Sequence, residues 1–477
     1  MIKFHRNSFN IRLEINLLLF SLFLITQSAA AQSVPANNSK LDSAIIRSIY
    51  DEALGNGQSY ENLRVLCKDV GARLSGSPEA EKAVTWGYEL LKSYAFDTVF
   101  LQEVMVPKWE RGCCESGIVY LENEQKKINI TALGGSVGCE KPIKGEVIEV
   151  KYFTDLAALG EEKIKGKIVF FNRAMDPLLI NTGAAYGGAN DQRTKGASEA
   201  SKYGAIGTIV RSLTLADDEF PHTGAMDYLE GVLKIPSAAI STTDAKYISA
   251  SLKENPNLQF EMDLRCVKHP DVLSHNVIAE IRGSEFPDKY IVVGGHLDSW
   301  DIGEGAHDDG AGIVQSIEVL RIFQSLKIRP KHTLRVVLFI NEENGNRGGI
   351  TYARVAKELG MNHIAAIESD AGGFTPRGFR IDANDNQVTL FKSWSKLFEP
   401  YQIHSFLEGH GGVDIGPLKD GNIALIGLSP DSQRYFDYHH SDRDIFENVH
   451  RRELELGAGT VAALTWLIDQ YAWGNKD

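Results

Sequence analysis

From Asn276 onward, short apolar runs alternate with amphipathic stretches of helical length, and the runs end in acidic residues and histidines. Residues 290–293, 334–340, 363–368 and 422–427 read as strands. Residues 312–325, 350–359, 388–398 and 453–471 read as helices. Such alternation restricts the fold to an α/β class, a mostly parallel mixed sheet sandwiched by helices. Ligand sites in such sheets lie beyond the carboxyl ends of the strands, and the polar residues sit there. The first run continues into Gly294-Gly295-His296-Leu297-Asp298-Ser299-Trp300, and a nearby loop reads Gly305-Ala306-His307-Asp308-Asp309-Gly310. The second ends in Asn341-Glu342-Glu343-Asn344-Gly345, the third in Ser369-Asp370. Tyr438-His439-His440-Ser441-Asp442-Arg443-Asp444 comes later. Carboxylates and imidazoles gathered at neighbouring strand ends repel one another or lose solvation, and a cation is the simplest compensation. The donor set, lacking thiolates, favours zinc or another first-row divalent ion.

The segment before Asn276 has a different texture. Residues 42–69 begin as a helix. Ser77-Pro78 is a cap followed by a first-turn proline for a helix over 79–94, and residues 98–106 read as a strand. Short β-rich pieces at 145–150, 166–171, 207–210 and 236–240 then alternate with helical stretches, as expected of a compact α+β module over 121–266 inserted into another domain. That domain would comprise 32–120 and 267–477.

Residues 1–31 read as a signal peptide: basic Lys3, His5, Arg6 and Arg12, an apolar run over 17–25, then Ala29-Ala30-Ala31. The apolar run is about half of the roughly 20 residues a membrane span needs. The expectation is export to the periplasm or the medium, with cleavage near Ala31 and no membrane span in the mature chain. Removal of that segment leaves 47 basic and 62 acidic residues, a formal charge of −15. With no basic patch to offset it, this charge argues against nucleic acid as a partner. Five cysteines are too few for a disulfide scaffold of this length.

Five segments together resemble the M28 family of zinc exopeptidases, nearest its carboxypeptidase Q-like branch. They are His296-Leu-Asp298-Ser-Trp, Gly305-Ala-His-Asp308-Asp-Gly-Ala-Gly312, Asn341-Glu342-Glu343-Asn-Gly345, Glu368-Ser-Asp370-Ala-Gly372 and His439-His440-Ser441. The resemblance implies two Zn2+ ions held by His296, Asp308, Glu343, Asp370 and His440. Asp308 would bridge them, with Glu343 and His440 on one ion and His296 and Asp370 on the other. Glu342 would be the general base, activating a metal-bridging water. Asp298 would orient His296, and Asp444 would do the same for His440, although Ile445 stands where the family often has Thr. His439 is the alternative to His440. The resemblance also makes the inserted module a protease-associated domain and implies a homodimer. His307, Arg377, His410 and Asp414 are candidate substrate contacts.

The absence of His-Glu-x-x-His and phosphate-loop patterns excludes thermolysin-like proteases and the corresponding nucleotide enzymes. The expected activity is hydrolysis of dipeptides or short peptides by an exported zinc exopeptidase. The alternatives are an aminopeptidase of the same family, an aminoacylase or glutaminyl cyclase, and a non-catalytic binding or receptor-like module on the same fold.

Overall fold

The structure, a computed structural model, describes residues 36–122 and 124–471. The signal peptide expected over 1–31 lies outside the described residues. The larger of two eight-stranded sheets runs in the order Thr98–Glu110, Val267–Ile281, His332–Phe339, Phe286–His296, Asn362–Glu368, Ala424–Pro430, Pro376–Asp382, Ser405–Glu408. The four central strands are mutually parallel. Antiparallel pairings join Thr98–Glu110 to Val267–Ile281 on one flank, and Pro376–Asp382 to Ala424–Pro430 on the other.

Period-two alternation assigns each central residue to a face. Ile291, Val293, Val336 and Leu338 pack into one core with residues of the helices Ala36–Asn56, Pro78–Ser93, Ala311–Ser325 and Arg451–Tyr471. Val292, Val337 and Phe339 face the other way, toward Tyr352 and Ala356 of the helix Arg347–Glu358. Both faces are therefore covered, which explains why His332–Phe339 is buried at every residue. The cap read from the sequence forms: the Ser77 hydroxyl accepts a hydrogen bond from the Ala80 amide at 3.0 Å. The helix expected over 388–398 is instead broken, into Asp385–Ser393 and Ser395–Phe398.

Register decides where the chemistry lies. His296 pairs with Phe339, and Gly294 with Glu368, so the parallel strands end side by side. The residues that follow, Asn341–Glu343 and Ser369–Asp370, leave the sheet at one edge.

The second sheet runs in the order Gln125–Ile128, Glu115–Tyr120, Gln259–Leu264, Ile143–Val150, Ile168–Phe171, Gly207–Arg211, Ser237–Ile240, Ile130–Ala132. Glu115–Tyr120, just ahead of the boundary drawn at residue 121, pairs along its length with Gln259–Leu264. The sequence reading assigned no element to residues 107–120 and left them in the outer domain. Trp109 and Trp300 join the core of the second sheet. Gly134 lies so close to Trp300 that a Cβ there would fall 1.8 Å from the indole.

On the helical face, Arg321 bonds to Glu318 at 2.7 Å and Glu52 at 2.8 Å. Nearby, the buried Glu455 accepts the Tyr60 amide at 3.2 Å. Burial, then the Glu318 carboxylate, push Glu455 up to about 7. A carboxyl group raised in the folded state stabilises below its unfolded value near 4.5, and that contribution is lost as pH rises through 7. Glu455→Gln is therefore expected to leave the melting temperature unchanged near pH 4.5. At pH 8 it should add stability, by about 2–3 kcal/mol at most. Thermal melts at the two pH values check the sign.

Candidate metal centre

His296 is the last residue of its strand. Its Nδ1 lies 3.0 Å from the Asp298 carbonyl oxygen. A carbonyl can only accept, so Nδ1 carries a proton and Nε2 is the nitrogen left to face the carboxylates. It lies 3.3 Å from Asp308 Oδ1 and 3.5 Å from Asp370 Oδ1. The other oxygen of Asp308, Oδ2, lies 3.1 Å from His440 Nε2, which is 3.2 Å from Glu343 Oε2. One carboxylate thus stands between two donor sets, His296 with Asp370 and His440 with Glu343. His439 stacks on His440 at 3.5 Å, with its Nε2 3.6 Å from Asp308 Oδ2.

The turn after the His332–Phe339 strand aims both glutamates inward. Asn341 has φ +71°, a left-handed conformation that Asn tolerates better than most residues. Asp298 Oδ1 accepts the amides of Asn341 at 2.7 Å and Glu342 at 3.0 Å. The expected role of Asp298 therefore changes: its carboxylate holds the Glu342–Glu343 turn and stays 3.9 Å from His296 Nδ1, whose bond goes to the Asp298 main chain. Asp444 differs in the same way. Its two oxygens accept the amides of His307 at 2.7 Å and Asp308 at 3.0 Å, so it fixes the Asp308 loop and leaves the His440 ring to other groups.

Those groups come from the second sheet region. His440 Nδ1 lies 3.3 Å from the Thr223 carbonyl and 3.5 Å from Arg193. The Thr223 amide donates to the His440 carbonyl at 2.8 Å, and His222 Nδ1 lies 2.7 Å from the His439 carbonyl. His440 is held at φ +61°, a costly conformation for a non-glycine residue.

Charge tests whether the cluster suits a cation. Burial opposes a charged His296, but Asp308 and Asp370 outweigh it and hold its pKa well above the usual value. Burial likewise opposes ionised Asp308, yet His296 and His440 hold it well below the carboxylate range. Burial and then Asp308 push Glu343 up to about 7. For Glu342, burial raises the pKa well above its ordinary value, with Asp370 and Glu343 adding to it. His296 Nε2, Asp308 Oδ2 and Glu343 Oε1 are buried without hydrogen-bond partners. Unpaired buried donors of this kind are expensive unless a cation is bound. Among the described residues, three sets each bring their ligand atoms within 4.8 Å of one another: His296, Asp308 and Glu343; Asp308, His439 and His440; and His296, Asp309 and Asp370. The donor types and these orphaned atoms fit divalent metal ions.

The candidate substrate contacts separate. His307 is buried, stacked on Phe374 at 4.2 Å, and accepts the Gly373 amide at 3.1 Å. It packs the loop and does not face the cleft. Arg377 is exposed on the strand Pro376–Asp382, 3.7 Å from Asp431. The sequence reading assigned no strand to this segment. His410 lines a cavity of about 270 Å³ shared with Glu368 and Asp370. Asp414 is buried with both carboxylate oxygens unpartnered, and burial then Glu368 raise its pKa well above normal.

Sequence reasoning missed several supports. Asp309 accepts the His296 amide at 3.1 Å and the Gly312 amide at 2.9 Å. The fully buried Arg73 donates to the carbonyls of Leu297 at 2.6 Å, Glu304 at 2.7 Å and Gly305 at 2.9 Å, tying together the loops that carry His296 and Asp308. Asp309 had a signal in its place beside Asp308. Arg73, Arg193 and Thr223 had none.

Clustered imidazoles and carboxylates beyond the parallel strands, taken together with the matches that follow, make the chain a zinc metallopeptidase. Residues 276–465 match the model of "Peptidase family M28". The chain is 35% identical to carboxypeptidase Q of Homo sapiens over 421 residues, covering 88% of this chain and 86% of that protein. It is 36% identical to carboxypeptidase Q of Xenopus laevis, covering 84% of each chain. A solved peptidase M28 precursor from Shewanella amazonensis superposes with TM-score 0.86 at 31% identity, over 90% of this chain and 97% of the other. The fold is also that of BSAP, a zinc aminopeptidase from Bacillus subtilis, at TM-score 0.62 and 19% identity over 88% of this chain and 96% of that one. The chain belongs to peptidase family M28.

Proposed function

We propose that the protein is an exported exopeptidase that splits dipeptides or short peptides, with His296, Asp308, Glu343, Asp370 and His440 as ligands of two Zn2+ ions and Glu342 as general base. The observation that carries this reading is the division of Asp308, one oxygen toward His296 and Asp370 and the other toward His440 and Glu343. When bound there, the two ions supply Lewis-acid polarisation and make water a stronger acid. Glu342 is adjacent to the ligand set and projects into a cavity of about 500 Å³. Its carboxylate is positioned to take a proton from the attacking water and return it to the leaving amine. Asp298 fixes Glu342 through the main chain, and Asp444 fixes Asp308.

The module between the two parts of the main sheet is assigned as a protease-associated domain, and the functional unit as a homodimer. Export rests on the pattern of residues 1–31. Among the described residues, no helix is long and apolar enough to cross a membrane.

Likeness to carboxypeptidase Q favours dipeptide or carboxypeptidase specificity, with an M28 aminopeptidase as the second reading. Zinc-loaded protein is tested on free dipeptides, amino-blocked dipeptides and aminoacyl anilides. Rapid cleavage of free dipeptides with little anilide turnover supports the first reading. The reverse order supports the second, and no hydrolysis of any of them removes both.

A further inference from the structure

Among the described residues, Cys67, Cys139 and Cys266 are buried, and the adjacent pair Cys113-Cys114 is exposed. The pair stands where the chain passes from one sheet to the other, between the strands Thr98–Glu110 and Glu115–Tyr120. Both ends of that passage are fixed. The Arg111 guanidinium donates to Asp301 at 2.5 and 2.9 Å and to the Ala132 carbonyl at 2.5 Å. Glu115 accepts from Arg111 at 3.3 Å and from the Ala132 amide at 2.7 Å. Between them Gly112 has φ +89°, and a Cβ there would fall 2.3 Å from the Arg265 carbonyl oxygen. The two thiols are thus presented on a pinned turn, and neither belongs to the clustered donor sets.

In an extended strand, neighbouring side chains point to opposite faces. Here the turn brings them together: Cys114 Sγ donates to Cys113 Sγ at 2.9 Å. That separation is within about 1 Å of a disulfide bond. The hydrogen bond to Cys113, and then that sulfur's charge, raise the Cys114 thiol above its ordinary pKa. Cys114 keeps its proton, and Cys113 is the sulfur left to act first as a thiolate. Closure between neighbours carries strain, because adjacent Cα atoms stand about 3.8 Å apart, short of the roughly 4.4–6.8 Å usual across a disulfide. A strained, exposed disulfide reopens readily, unlike a buried structural one.

We propose that Cys113 and Cys114 are a reversible redox site that closes to a vicinal disulfide by exchange with small-molecule disulfides. The Cys113 thiolate attacks one sulfur of the small disulfide, whose S–S bond breaks and releases one small thiolate. The Cys114 thiolate then attacks Cys113 Sγ in the mixed disulfide, and the second small thiolate leaves. Two protein thiols are oxidised, and one small disulfide is reduced to two thiols. The two protons pass from the cysteines to those products. The metal centre takes no part, and export places the chain where such oxidation is permitted.

For the test, the zinc-loaded protein is equilibrated with glutathione at graded ratios of disulfide to thiol and then alkylated with iodoacetamide. With reduced glutathione, Cys113 and Cys114 should both be alkylated. With oxidised glutathione, wild type should resist alkylation and lose two hydrogens in intact mass, with no glutathione retained. Return to reduced glutathione should restore both thiols. Cys113→Ser and Cys114→Ser should each retain one glutathione instead, because the resolving sulfur is gone. Phenylarsine oxide, which bridges two thiols, should bind reduced wild type about 10²-fold or more tightly than either variant. Five results overturn the proposal: glutathione retained on wild type, both sulfurs alkylated at every ratio, linked dimers in place of the ring, a ring that excess reduced glutathione cannot reopen, or equal arsenical binding by wild type and variants. None of these readouts uses hydrolysis, so the peptidase reading stands or falls separately.

Discussion

Glu342→Gln is expected to lower kcat by about 10²–10⁴-fold, the usual contribution of a positioned general base, while the protein keeps its full complement of bound zinc. The expectation follows from where the side chain stands. Glu342 belongs to none of the three sets of clustered ligand atoms, so the amide substitution leaves each set whole. Its amide bond to Asp298 Oδ1 is made by the main chain and survives the change. Glutamine matches the volume but cannot take a proton. Single-turnover rates alongside metal analysis decide the matter. A variant with kcat within threefold of wild type would exclude Glu342 as the base, and one that had lost its zinc would place it among the ligands.

Asp308→Ala should have the opposite signature. Asp308 contributes to two of the three clusters and separates His296 from His440. Its removal takes one ligand from each donor set at once. The variant is expected to retain less than one equivalent of zinc after gel filtration and to show no measurable turnover. Wild type should gain stability on zinc addition, about 4 kcal/mol when free metal exceeds Kd a thousandfold. Asp308→Ala should lose most of that gain. Melting curves with and without zinc separate this from simple misfolding, because a misfolded variant would already melt low without metal. Retention of two tightly bound equivalents would show that Asp308 is not shared.

The sheet and the approach of its strand ends were legible because central parallel strands are buried on both faces and so read as uninterrupted apolar runs. The run 334–340 was the clearest of them, and the strand His332–Phe339 occupies that place. Metal-seeking residue types recurring after such runs pointed to a cation, and the resemblance of their segments to the M28 family singled out His296, Asp308, Glu343, Asp370 and His440. What a side chain grips was not legible. Asp298 and Asp444 hold main-chain amides of neighbouring turns where imidazoles were expected. That choice depends on turn geometry, which residue spacing does not encode. His307 lies beside Asp308 in sequence but stacks on Phe374, because alternate residues of a tight loop point to different sides. Arg73 was invisible because its partners are carbonyl oxygens, which every residue carries.

The link between Thr223 and His440 makes the two sheets mechanically one machine. A trimmed chain in which a short linker replaced residues 115–264 would keep all five clustered donors in its sequence. It would leave the His440 carbonyl without the amide it accepts and the ring without the carbonyl beside Nδ1. Nothing from the excised segment would then steady the histidine in its left-handed backbone conformation. A minimal catalyst cannot be carved from this architecture by cutting at the sheet boundary, and grafting a foreign module there would have to restore that same pair of backbone contacts.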